Sequence, residues 1–569
     1  MSDIQYESHT ILERLEALYP KEKAKEAAQN IDALVEKYKK RIVSTPYHLS
    51  EKDTILITYG DQVQRPGEAP LETLKIFLDT HLKDVINSVH ILPFYPYSSD
   101  DGFSVINYSE VDPKMGSWKE IEAISKNYRL MVDGVINHIS QYSHWFKAYL
   151  AEDEAYADFF IDVPPSWDVS QVVRPRETPL LSKFVSKSGK VHTIWTTFSR
   201  DQVDLNYANY KVLVAVLDAL FYYVEKGATL IRLDAIAFIY KKLGTPCVHL
   251  PQTHELIQLI REVLHKVAPE VIIITETNVP HDENVSYFGS GEDEAQMVYN
   301  FALPPLLAHT MLQKETSAIT SWAKTLTLPS DKVCFFNFSA SHDGCGLRPV
   351  TGLLSDEDFD ALVENTLANG GLVSFRDTPN GRRPYELNCS FMNILSHPED
   401  EKSLKIKRML LAQGVILSMP GVAGIYFHSL VGSSNYYEGV KLSGINRTIN
   451  RQKFNYDSLA HLLNEEGSLE RTIFTSLRRL IWVHSHEKAF NPFGKFEFLT
   501  LHKNVFVILQ HSLDESENIL ALHNFSNDII TVVLPDVFEK ELQDLLSDES
   551  FARGADVSMQ PYQMMWLKF

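Results

Sequence analysis

The sequence predicts an α/β protein built on a (β/α)8 TIM barrel, with inserted lid segments and a C-terminal antiparallel β domain. Three observations carry the prediction. Eight short apolar runs alternate with amphipathic stretches of helical length, polar residues interrupt those runs at their carboxyl ends, and the chain after about Pro492 reads as short alternating strands. An open doubly wound sheet is the competing arrangement. Eight repeats, and no Gly-rich phosphate fingerprint after the first run, argue against it.

The elements follow in order. Ile11, Leu12, Leu15 and Leu18, then Ala27, Ala28, Ile31, Leu34, Val35 and Tyr38, recur at a helical period broken near Pro20, which predicts a pair of docked amphipathic helices. This N-terminal extension, residues 1–50, receives no chemistry. The apolar runs start at Thr54 (TILITYGD), Ser88 (SVHILPFYP), Leu130 (LMVDGVINH), Ala228 (ATLIRLDAIAF), Val271 (VIIITET), Gln296 (QMVYNF), Val333 (VCFFNFSASHD) and Val415 (VILSMPGVAGIYF). Periodic segments at 71–85, 117–127, 207–226 and 253–267 lie between them. Two gaps are long, and both follow a strand's carboxyl end, where an insertion overhangs the mouth of a barrel. The expected scheme is a catalytic barrel at 51–138 and 200–490, an inserted domain B at 139–199, a second inserted loop subdomain at 344–386 and a C-terminal β domain at 491–569.

Bulk properties narrow the function. The 569-residue chain exceeds one ordinary domain, and 44% hydrophobic with 22% charged residues are proportions of a soluble protein with ample core. A formal net charge of -20 argues against a general nucleic-acid binder, which needs clustered Lys and Arg. Cys247, Cys334, Cys345 and Cys389 have no metal spacing and read as reduced packing residues. The amino terminus lacks a secretory pattern, and the apolar stretch 409–427, broken by Gln413, Ser418 and Pro420, reads as helix end, turn and buried strand. The expectation is a cytoplasmic protein, monomer or homodimer, that handles small molecules and engages neither membrane nor nucleic acid.

The chemistry sits where polar residues end the runs: Asp100, Gly102 and Phe103 after the second, Asp133, Asn137 and His138 after the third, Arg232 and Asp234 on the fourth, Glu276 after the fifth, His342 and Asp343 after the seventh. In a parallel barrel these ends share one face. Singly, each has a bland explanation. Arg232 and Asp234 form an ion pair on one face of a strand, Glu276 caps the strand, and His138 or His342 is a hydrogen-bonded structural residue. The sharper possibility for Asp234 is a nucleophile kept ionised by the adjacent guanidinium. The bland explanations do not predict five such strand ends together. Carboxylates sharing a pocket separate in pKa, which suits glycosyl transfer, where one attacks the anomeric carbon and a protonated one serves the leaving oxygen.

LMVDGVINH, LIRLDAIAF, IITETN and FSASHD resemble the four signature stretches of the α-amylase family of glycoside hydrolases, in order, over roughly residues 54–480. The resemblance implies Asp234 as nucleophile, Glu276 as general acid/base and Asp343 as the carboxylate that braces the sugar and the oxocarbenium-like transition state. It further implies that Arg232 orients Asp234 and that His138 and His342 hold sugar hydroxyls. HILPFYPYSSDDGFSV, VRPRETPL, TTFSRDQVDLN, FALPPLLAHT, YELNCSFMNIL and GINRTINR resemble the sucrose phosphorylase-like branch. By that resemblance Asp100 and Arg447 clamp the distal glucose hydroxyl, Phe103 stacks on the sugar, Phe198 and Gln202 line the entrance, and Arg176 helps hold phosphate.

The run SFRDTPNGRRPYEL departs from typical sucrose phosphorylases in its arginines. Arg376, Arg382 and Arg383 belong either to a solvated basic turn or to an anion-binding acceptor loop. An anionic aglycone explains them, glycerate or a phosphorylated fructose, and ITETNVPHDENVSYFG is similar to the glucosylglycerate phosphorylases of this branch. The implied enzyme is a hexosyltransferase, a retaining phosphorylase that converts a small α-glucoside and inorganic phosphate to α-D-glucose 1-phosphate, with 2-O-α-glucosylglycerate as substrate. Sucrose, sucrose 6'-phosphate, or a retaining α-glucosidase or transglucosidase activity are the alternatives. No cofactor is expected beyond phosphate as co-substrate. Calcium occurs in the wider family near the position of Asn137, but the expectation here is no metal.

Overall fold

The computed structural model describes residues 10–378, 381–534, 541–552 and 554–569. Residues 1–9, 379–380, 535–540 and 553, which fall in the expected N-terminal, second inserted and C-terminal segments, lie outside the described residues.

Eight strands close a barrel: β1 (Thr54–Thr58), β2 (Ser88–Ile91), β3 (Arg129–Gly134), β4 (Ala228–Leu233), β5 (Ile272–Thr275), β6 (Met297–Tyr299), β7 (Cys334–Phe338) and β8 (Val422–Tyr426). Each strand lies beside its neighbours in the chain, and β8 closes on β1 in parallel, with Thr54 opposite Ala423. Every residue of β1, β2, β5, β6, β7 and β8 is buried, which is why their sequences run apolar without alternation. The eighth apolar run divides into helix end, turn and strand, as its breaks at Ser418 and Pro420 predict. Val415 to Ser418 ends the helix Lys402–Ser418, and the strand begins only at Val422. Between them Pro420 has no N–H to continue the helix and Gly421 takes φ 129°, where an added Cβ would lie 2.2 Å from the Phe335 carbonyl oxygen.

Internal contacts divide the chain into two compact units, residues 1–48, 92–277 and 286–296, and residues 49–91, 278–285 and 297–569. In the first, Thr10 caps the helix Ile11–Leu18 through a reciprocal box with Glu13, and Lys21–Lys39 follows. Ala24, Ala27, Ile31 and Val35 bury one stripe, and Tyr38 stacks on Phe221 of the helix Tyr210–Glu225 at 5.0 Å. Buried Arg14 reaches Glu255 (3.2 Å) and Glu262 (3.4 Å) on the helix Pro251–His265. After β3, the bridge His138–Ser140 with Gln202–Asp204 frames a segment that contains the hairpin Leu181–Val185 and Val191–Trp195, and its Val163, Leu180 and Trp195 form a small core with Cys247 from the stretch after β4.

In the second unit the stretch after β7 forms a helix, Asp356–Ala368, and an antiparallel hairpin, Leu372–Thr378 with Gly381–Asn388. The chain ends in a six-stranded sheet ordered Phe496–His502, Val505–His511, Asn518–Asn524, Met564–Lys568, Leu542–Asp544 and Ser550–Phe551. Alternate residues Val505, Val507, Leu520, Leu522, Met565 and Leu567 fill its core. Each such side chain contributes roughly 1.5–3 kcal/mol when fully buried.

Candidate active site

Arg232, last but one on β4, organises the first unit's polar cluster. Parallel pairing puts it opposite Asp133 on β3 and beside Ile274 on β5. Its Nη1 donates to Asp133 Oδ1 (2.5 Å) and Asp234 Oδ1 (2.8 Å), and Nη2 lies 3.8 Å from Glu276 Oε2. Arg232, Asp133 and Asp234 are all buried. Burial raises the Asp234 pKa above the usual carboxylate value, and the Arg232 charge opposes that shift. Ala235 adopts φ 49°, the left-handed region, and from there its N–H donates to Glu276 Oε2 at 2.9 Å. One turn of backbone therefore aims the two carboxylates expected from the sequence.

A second layer of the same unit surrounds this pair. Asp100, Asp101 and Gly102 take φ of 53°, 48° and 110° in succession, and a Cβ on Gly102 would lie 2.6 Å from Pro93 O. The loop presents Asp100 to Arg176 Nη2 (3.0 Å) and Gln202 Nε2 (3.2 Å), and Phe103 to the Arg232 guanidinium, 5.6 Å from the ring centroid. His138 Nε2 is 2.9 Å from Phe103 O, which can only accept, so Nε2 carries the hydrogen, while Nδ1 accepts from Asn137 Nδ2 at 3.2 Å. Burial lowers the His138 pKa, consistent with this neutral ring. Both ring nitrogens expected to serve sugar hydroxyls are thus engaged by the protein. Phe198 packs between His138 (5.3 Å) and Phe238 (5.6 Å) and lies under Arg176 (5.4 Å).

At Asn137, where calcium was weighed, the chain supplies its own cation. Lys241 Nζ donates to Asn137 Oδ1 (2.8 Å) and pairs with buried Asp204 Oδ2 (2.5 Å). Among the described residues no group of three or more His, Cys, Asp or Glu is arranged to hold a metal.

The second unit presents Asp343, five residues past the end of β7. Arg447 Nη1 donates to its Oδ1 (2.5 Å), Arg451 Nη2 stands 3.8 Å away, and His342 Nε2 is 3.5 Å from Oδ2. Arg447 is gripped in turn by Glu386. Arg451 Nε donates to the His342 carbonyl (2.7 Å), and the His342 ring meets Tyr59 edge-on at 6.1 Å. Thus Asp100 and Arg447, expected to form one clamp, each have partners within their own unit. In the acceptor loop, Arg382 lies 4.7 Å from the Phe375 ring and Arg383 is exposed, 3.4 Å from Asp356. Glu386, Arg451, Tyr59 and Lys241 escaped the sequence reasoning. The stretch GINRTINR, through whose resemblance Arg447 was assigned, also contains Arg451.

Comparison with known proteins bears on this geometry. Residues 80–343 match the catalytic-domain model of the alpha-amylase family. The chain is 46% identical over 522 residues to a glucosylglycerate phosphorylase of Spirochaeta thermophila, covering 90% of this chain and 89% of the relative. It is 42% identical to one of Escherichia coli, covering 92% of each. The crystal structure of a sucrose 6F-phosphate phosphorylase from Thermoanaerobacter thermosaccharolyticum superposes with a TM-score of 0.74 at 23% identity, over 90% of this chain and 98% of that one, a likeness of fold.

Proposed function

Since this chain belongs to the α-amylase family, in the branch of its glucosylglycerate phosphorylase relatives, we propose that it is a retaining phosphorylase that converts 2-O-α-glucosylglycerate and inorganic phosphate to α-D-glucose 1-phosphate and glycerate. The observation that carries this reading is the identity of 42–46% over nine-tenths of the chain. Sucrose phosphorylases are more distant relatives.

The reaction runs in two displacements. Asp234 attacks the anomeric carbon as Glu276 gives its proton to the glycosidic oxygen, and glycerate leaves. Phosphate then attacks the glucosyl-Asp234 ester from the face that glycerate vacated, Glu276 takes back a proton, and configuration is retained. Arg232 supports this assignment because its guanidinium counters the burial that would otherwise protonate Asp234. Asp343 braces the sugar and the positive charge that develops on it, and Arg447 sets its orientation. Arg176 is assigned to phosphate, and Arg382 and Arg383 to the acceptor side. Asp100, Phe103, His138, Phe198, Gln202 and His342 shape the glucose site.

No metal or organic cofactor enters these steps, and phosphate is the co-substrate. The protein works in the cytoplasm as a monomer or homodimer. Its four cysteines are buried and free, which fits a reducing compartment, and no described helix is long and apolar enough to cross a membrane.

The test is direct. Purified protein given glucosylglycerate and phosphate should release α-glucose 1-phosphate, with free glucose a minor product. Release of that product from sucrose or sucrose 6'-phosphate instead would reassign the aglycone, and rapid phosphate-independent glucose release would make the enzyme a hydrolase.

A further inference from the structure

The second unit gathers positive charge that the steps above leave unused. In the hairpin after β7, Arg376 pairs directly with Arg383 and Phe375 with Pro384. Directly opposed residues project from the same face of an antiparallel pair, and two like charges there destabilise it. A third guanidinium joins them. Arg348 opens the short turn Arg348–Val350, five residues after Asp343. Burial first, and the charge of Arg376 second, push its pKa down to about 10.

Arg348 and Arg376 are half-buried, yet neither has a hydrogen-bond or ion-pair partner among the described residues. Among the described residues Glu283 offsets the charge at Arg348, and Arg383 leans on exposed Asp356. Half-buried cations that no carboxylate hydrogen-bonds are unfavourable in the empty protein and become favourable when an oxyanion arrives, because guanidinium groups meet carboxylates with paired, charge-assisted hydrogen bonds.

The cluster is also tied to the catalytic side of this unit. Cys345 and Gly346, between Asp343 and Arg348, pair with Leu387 and Glu386 of the hairpin strand that carries Arg383. Glu386 holds Arg447, and Arg447 holds Asp343.

We propose that Arg348 and Arg376, with Arg383 opposite, form a carboxylate cradle that makes the enzyme select a 2-hydroxy acid aglycone over the corresponding neutral polyol. The proposal rests on the phosphorylase reading above and deepens it, since the carboxylate is the one charge that separates glycerate from glycerol. It extends the anion-binding role expected of the arginine-rich run Arg376, Arg382 and Arg383 to Arg348, which the sequence did not mark, and centres it on the two half-buried guanidiniums.

The test uses the full-length enzyme in the synthetic direction, with α-glucose 1-phosphate as donor and D-glycerate or glycerol as acceptor. For Arg348→Gln and for Arg376→Gln, the ratio of kcat/KM with glycerate to kcat/KM with glycerol should fall about 10- to 100-fold. Arg376→Lys, which keeps the charge and the stem but loses the paired donors, should fall in between and guards against simple loss of fold. An unchanged ratio in both glutamine variants overturns the cradle. So does a raised KM for phosphate in the phosphorolytic direction with the ratio intact, which would make inorganic phosphate the ligand. An unmodified enzyme inactive with both glycerate and glucosylglycerate overturns the functional reading and the cradle's ligand together, whereas an active enzyme whose variants keep the ratio overturns the cradle alone.

Discussion

Glu386 accepts two hydrogen bonds from Arg447, from Nε at 3.0 Å and from Nη2 at 2.5 Å, and is itself only 1% exposed. The third nitrogen of that guanidinium, Nη1, is thereby left to Asp343. A carboxylate on the hairpin thus fixes the orientation of a group that acts on the bracing aspartate.

Glu386→Gln keeps the shape and removes the charge. We expect kcat/KM for glucosylglycerate to fall roughly 10-fold or more, the scale of one charge-assisted hydrogen bond, with the thermal midpoint little changed. Steady-state kinetics that match the unmodified enzyme would show that Arg447 needs no such anchor.

The two carboxylates joined through Ala235 should fail in different ways. Asp234→Asn removes the nucleophile, so no covalent glucosyl-protein should be detectable by mass spectrometry after quenching. Glu276→Gln leaves the nucleophile but cannot assist glycerate or activate phosphate. With α-glucosyl fluoride, whose leaving group needs no proton, it should accumulate protein carrying one glucosyl group. Labelling of the Asp234→Asn variant would remove Asp234 from its role.

The pH dependence follows from the raised Asp234 pKa. The group must be deprotonated to attack, so activity is lost as pH falls through that pKa, and the acid limb of the kcat/KM profile lies above the usual carboxylate range. Arg232 opposes the rise. In Arg232→Gln the acid limb should therefore move to still higher pH, along with a lower maximum. A limb that stays in place or moves down would mean that it reports another group.

Lys241 and Asp204 form a pair whose side chains are 4% and 0% exposed. Lys241→Met leaves Asp204 buried with hydrogen bonds from Thr197 and Asn137 but no cation, at a cost of about 3–5 kcal/mol that chemical denaturation would measure. Since the protein's own ammonium sits at Asn137, dialysis against a chelator should leave the activity of the unmodified enzyme unchanged. Activity lost to the chelator and restored by calcium would contradict that.

Much of the fold was legible because a barrel strand buried on both faces must be apolar throughout, so any polar residue that breaks it near its carboxyl end stands out. Asp234, Glu276, Asp343, His138 and Arg232 were visible for that reason. The eighth run was legible as helix end, turn and strand because Pro420 and the left-handed Gly421 interrupt an otherwise apolar stretch.

The sequence by itself determined the barrel, the carboxylates at its strand ends and the excess of arginine after the seventh strand. Tertiary structure alone decided which groups neutralise one another. Glu386 meets Arg447 across 61 residues, Lys241 meets Asn137 across 104, and the choice between opposing Arg376 and Arg383 or turning them to opposite faces is a matter of one residue of hairpin register. Composition counts charges, but their effect depends on distance and burial, which only the folded chain sets.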